Sequence, residues 1–193
     1  MNKWIFSSFV SLLMISCGRR TTTVIIQKKL TVFKTTELIA DNISEEISGS
    51  DELHLMICLV KDTVPKALFL GEWNDSMVFR KQENNMRKEI AFELNTEGLS
   101  MDKTKLIFIL MESDDLNSIE TRANKVKEVL TKANYQYSDS LNIRIRRSIA
   151  DDDLQELKIY KLLTLLENKN GEITFSGMNL FDKYYYRLNY KWE

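Results

Sequence analysis

The sequence predicts a mainly β, α+β fold: an antiparallel β-sandwich of about seven strands decorated with two helices. Three observations predict it. Several segments alternate apolar and polar residues with period two, as half-buried strands do. Two more, at 53–60 and 105–111, are apolar almost throughout, as strands covered on both faces are. Only two stretches repeat their apolar residues at helical spacing.

In chain order, residues 23–33 form the first expected strand, with Val24, Ile26, Leu30 and Val32 in a β-rich local composition. In 53–60, Leu53, Leu55, Ile57 and Leu59 take one face, and His54, Met56, Cys58 and Val60 the other. Residues 77–79 are a short strand. In 87–94, Ile90, Phe92 and Leu94 point inward and Glu89 and Glu93 outward. After the strand at 105–111, residues 117–133 place Ile119, Ala123, Val126, Leu130 and Ala133 on one helical face, with Asp114 or Asp115 as cap. Residues 141–145 read as a strand.

The second helix is expected over 151–167. Three aspartates stand at its positive end, and Lys158 and Lys161 follow nearer the other. A strand at 159–166 turning at Asn170-Gly171 is the alternative; dense leucine favours the helix. Residues 171–177 pair with the last strand, 184–192, through a turn near 179–182. In that strand Tyr184, Tyr186, Leu188, Tyr190 and Trp192 share one face, while Tyr185, Arg187, Asn189 and Lys191 share the other. The first set is expected in the core, although aromatic faces also serve as sugar platforms. Tyr185 and Arg187 are the candidate interface residues.

The chain has 193 residues, of which 44% are hydrophobic and 28% charged, so it can bury a core. Lys and Arg number 27 against 28 Asp and Glu. This balance predicts no nucleic-acid partner, which would need a basic excess. Two Cys exclude a disulfide framework, and one His excludes a multi-histidine metal site. No cofactor is expected.

The N-terminus is the most informative segment. Lys3 precedes an apolar run over 4–15 broken only by serines, and Ser16-Cys17-Gly18 follows. This is the layout of a secretory signal, and the run falls short of the roughly 20 apolar residues of a membrane-spanning helix. Met14-Ile15-Ser16-Cys17 resembles the lipobox of bacterial lipoproteins, with Met14 in place of the usual Leu. The resemblance covers the N-terminal tenth of the chain. It implies cleavage before Cys17 and acylation of the Cys17 sulfur, hence a membrane partner through a lipid anchor. No acidic residue follows Cys17 closely, which in that family implies release to the outer membrane, facing the periplasm. The expected organisation is a signal peptide at 1–16, the lipidated Cys and a tether at 17–22, and one globular domain at 23–193.

Within the domain no catalytic signature stands out. His54 and Cys58 share a strand face four residues apart, about 13 Å by the strand rise and too far to pair. A core role is expected for both. The acids at 112–115, Asp62 and Asp75 are expected on loops. In that placement they resemble the calcium- and lipid-binding sandwich of synaptotagmin type, although the spaced Asp pairs of that family are absent.

The expected function is therefore a non-enzymatic interaction or assembly component of an envelope complex, with an envelope protein as partner. In layout the chain is similar to the outer-membrane lipoprotein of the type VI secretion membrane complex, a small decorated sandwich behind a lipidated Cys. The alternative is a lipid-anchored module that binds calcium or a glycan. A hydrolase is a third class, but no residue set selects it.

Overall fold

Strands apolar on both faces need cover on both sides. The computed structural model describes residues 30–42, 50–61, 72–80, 86–112, 116–149, 155–178 and 183–193. In it, β2 (Ser50–Lys61) and β6 (Thr104–Glu112) run antiparallel, and every residue over 53–60 and 106–111 is buried. They form the centre of a four-stranded sheet ordered β3-β2-β6-β7, with β3 at Glu72–Arg80 and β7 at Gln155–Lys161.

One face of this sheet is closed by helices. Met56, Cys58, Val60, Ile107, Ile109, Met111 and Leu157 pack in one cluster with two helical stripes. Ala123, Val126 and Leu130 come from α1 (Leu116–Lys132), and Leu141, Ile145 and Ile149 from α2 (Asp139–Ile149). The other face meets a second sheet, ordered β4-β1-β9-β8, with β5 also paired to β1. Here β1 is Val32–Asn42, β4 Met86–Glu89, β5 Glu93–Asn95, β8 Asn170–Met178 and β9 Lys183–Trp192. Phe33 of β1 lies 6.4 Å from Phe108 of β6, ring centre to ring centre. The Tyr184 hydroxyl of β9 donates to Glu156 of β7 at 3.3 Å. The described residues from Thr31 onward thus form an antiparallel sandwich with a helical layer outside one sheet.

The last strand behaves as its alternation predicts. Tyr184, Tyr186, Leu188, Tyr190 and Trp192 are all buried, so their aromatic surface fills the core and offers no platform to a sugar. Phe33 gathers part of it, 5.4 Å from both Tyr190 and Trp192.

Several expectations need correction. Residues 141–145 are helical, not extended. The apolar–polar alternation of Leu141, Ile143 and Ile145 imitates a strand, but Leu141, Ile145 and Ile149 recur every four residues and are the ones buried. Ser138 starts the helix, its hydroxyl accepting the Leu141 N–H at 3.1 Å. The helix expected over 151–167 is instead β7 followed by α3 (Leu162–Glu167). Residues 155–161 find an open edge on β6 and pair along it, which overrides helix propensity. Only Leu162 and Leu165 then bury as one short turn of helix, on the way to the second sheet. Neither sequence reading for 159–166 holds throughout.

The strand expected over 87–94 is two strands, β4 and β5, on one neighbour. A register shift in β1 between Thr35 and Glu37 separates them. The Thr35 hydroxyl donates to the Ile90 carbonyl and the Thr35 N–H to the Phe92 carbonyl, which fastens the break. Ile90, Phe92 and Leu94 still point inward. The described residues hold nine strands and three helices against the seven and two expected. Of the first expected strand, 23–29 lie outside the described residues, as do 179–182, 151–153 and the cap residues Asp114 and Asp115.

Candidate functional site

The outer face of β4-β1-β9-β8 is the surface that carries the candidate interface residues. Alternation along β9 turns Tyr185, Arg187, Asn189 and Lys191 away from the core. Register then sets their neighbours. Arg187 stands opposite Ile39 on β1 and Thr174 on β8, while Asn189 stands opposite Glu37 and Glu172.

Arg187 is the hub of this face. Its Nε and Nη2 reach the two Asp41 carboxylate oxygens at 2.5 and 2.8 Å, a bidentate fork. Its Nη1 donates to Glu172 Oε1 at 2.9 Å. These bonds, the one to Asp41 foremost, raise the Arg187 pKa further, so the guanidinium stays charged at any working pH. Asn189 Nδ2 donates to Glu37 at 2.9 Å, and Arg87 of β4 reaches the same carboxylate at 3.4 Å. Toward the C-terminus, Lys34 bridges Glu93 and Glu193 at 2.8 and 2.9 Å. The bonds to Lys191 and Lys34 pull the Glu193 carboxyl down to about 2.

All five strands of this sheet are therefore cross-linked on their solvent side. Exposed pairs of this type contribute only about 0.2–1 kcal/mol each, so they set register more than stability. Ile39 sits in the same row between Arg87 and Arg187 and is buried despite facing outward. The aliphatic stems of the flanking arginines are the natural cover. Tyr185 is 39% exposed and is the large apolar side chain this face offers to a partner.

The two proposed interface residues thus share a face but differ in role. Tyr185 is presented, whereas Arg187 is committed to two carboxylates. Sequence reasoning missed Asp41 and Glu172, because only the pairing of β1 and β8 with β9 brings them to Arg187.

The other candidates fall elsewhere. Cys58 has no exposed surface and is set opposite Ile107 inside the helix-covered core. His54 is buried on the same strand, opposite Met111. Asp75 lies within β3, opposite Leu55, and not on a loop as expected, because β3 extends further than 77–79. Glu112 ends β6, whereas Asp62 and 113–115 lie outside the described residues, as does Cys17. Among the described residues no group of His, Cys, Asp and Glu is placed to hold a metal ion. Among them, too, no helix is long and apolar enough to cross a membrane. No protein-family model, curated protein or solved structure matches the chain.

Proposed function

We propose that the chain is a bacterial outer-membrane lipoprotein, acylated on Cys17 and facing the periplasm. In this reading it acts as a non-enzymatic interaction or assembly component of an envelope complex, with a secretion system as one such complex. The observation that carries the anchor is the apolar run over 4–15 ending at Met14-Ile15-Ser16-Cys17. Each acyl CH₂ buried in lipid is worth about 0.8 kcal/mol, so two or three chains hold a protein of this size on its membrane.

The domain supports a binding role in two ways. Two of its chemically versatile side chains are occupied with structure: Arg187 clamps Asp41 and Glu172, and Cys58 packs in the core. Its outer sheet face is a cross-linked, polar surface with one presented ring, Tyr185, which suits an anchor inside a polar rim.

The test is fractionation of the full chain beside Cys17→Ser, with the membranes washed in salt near 1 M to remove protein held by charge alone, and affinity capture of the envelope partner by wild type and Tyr185→Ala. The proposal expects wild type in the membrane fraction and Cys17→Ser either released or left as uncleaved precursor. It also expects Tyr185→Ala to lose the partner at unchanged melting temperature. Membrane attachment that survives Cys17→Ser with normal processing would overturn the anchor, and equal capture would overturn the interface.

A further inference from the structure

The net charge of −1 conceals a segregation. Residues 116–149, which hold both long helices, carry seven Lys and Arg against three Asp and Glu, a formal +4. The rest of the chain is correspondingly acidic. The excess is most concentrated on α2. With Leu141, Ile145 and Ile149 turned into the core, its solvent side presents Arg144, Arg146 and Arg147, all exposed. Ile143 stands among them and is 52% exposed. At helical spacing Ile143 and Arg147 lie on the same line, directly opposite the buried stripe, with Arg144 and Arg146 flanking them. Among the described residues no carboxylate pairs with these arginines.

The helix is held firmly. Beyond α1, Asn134 and Tyr135 adopt left-handed backbone angles, φ 51° and 52°. The Lys61 N–H donates to the Tyr135 carbonyl and the Tyr137 N–H to the Lys61 carbonyl, which ties this turn to the end of β2. Lys105 lies 3.4 Å above the Tyr137 ring. The start of α2 is thereby fixed to the sheet beneath it.

We infer that the solvent face of α2 is a docking surface for an anionic phospholipid bilayer, with Ile143 entering the headgroup region and Arg144, Arg146 and Arg147 contacting phosphates. Charge complementarity selects the occupant. Three unpaired arginines around one apolar side chain on a convex helix match a flat, negatively charged interface. An acidic protein segment would be better served by a groove. The inference goes beyond the lipid anchor and does not require Cys17 to be acylated. Because the helices and the β4-β1-β9-β8 sheet are outer layers on opposite sides of the central sheet, a membrane under α2 leaves Tyr185 and its charged surround facing away, toward a partner.

The test places an environment-sensitive fluorophore on the full chain at Ile143→Cys, in a Cys17→Ser background. Cys58 is buried and escapes labelling. A second chain carries the label at Tyr185→Cys. Vesicles of phosphatidylcholine mixed with phosphatidylglycerol should shift the label at 143 to the blue and raise its intensity. Vesicles of phosphatidylcholine alone should not, and the label at 185 should keep its aqueous emission. The shift should vanish in R144Q/R146Q/R147Q and in salt near 1 M, where the Debye length is about 3 Å. Equal emission at 143 on the two kinds of vesicle, or persistence in the triple variant, would overturn the inference. A response to polyglutamate but not to anionic vesicles would assign the face to an acidic protein and also overturn it.

Discussion

Two glycines of the edge strand β8 sit beneath tyrosine rings. Gly171 and Gly177 stand opposite Tyr190 and Tyr184 on β9, and a Cβ at either glycine would collide with the facing ring. The aromatic ring takes the place of the missing side chain. Gly177→Ala must therefore push Tyr184 from its bond to Glu156, and a cost of about 1–3 kcal/mol is expected, read as a lower urea midpoint. The same ring sets an alkaline limit. Burial, aided by Glu156, pushes the Tyr184 hydroxyl up to about 12, against an ordinary value near 10. Below pH 10 both folded and unfolded chains hold the proton and stability is unaffected. Between 10 and 12 the unfolded chain loses it first, so stability falls with rising pH. Tyr184→Phe should flatten part of that fall; an unchanged slope would contradict the assignment. The aromatic alternation over 184–192 was legible in the sequence. The glycine partners were not, because register across two strands is written in neither strand alone.

Among the elements, α2 shows how a pattern misleads. Apolar residues at 141, 143 and 145 satisfy a two-residue period, while 141, 145 and 149 satisfy a helical one. The first window stops before Ile149 and passes over Ser138, the cap. The residue that created the false strand signal, Ile143, is also the exposed one, and a local rule broken in this way is expected where a surface has a use. The helix predicts unequal outcomes. Ile145→Asp should unfold the domain by placing an unpaired carboxylate in the core, whereas Ile143→Asp should stay within about 0.5 kcal/mol of wild type. A strand would expose them alike. Ser138→Ala should cost about 1 kcal/mol. In β9, Trp192→Ala should cost about 3–5 kcal/mol by thermal melting, and Lys191→Ala far less. The β7–α3 boundary was hidden for a different reason: the leucines at 162 and 165 do form helix, but 155–161 obey the open edge of β6.

For the whole molecule, strands apolar on both faces announced two covering layers, and the sandwich and helical layer are those covers. What composition hid was the charge map, since a near-neutral total cancels a basic helical layer against an acidic remainder. We propose three working surfaces for the molecule: an acyl anchor at Cys17, a basic helix face for the bilayer and a sheet face for a partner. The anchor carries the other two, and intact-mass spectrometry of the full chain recovered from the membrane fraction of a bacterial expression host tests it most directly. The expected result is a chain that begins at Cys17 and carries the added mass of its acyl groups on that residue. A chain with an unmodified N-terminus at any other position would contradict it.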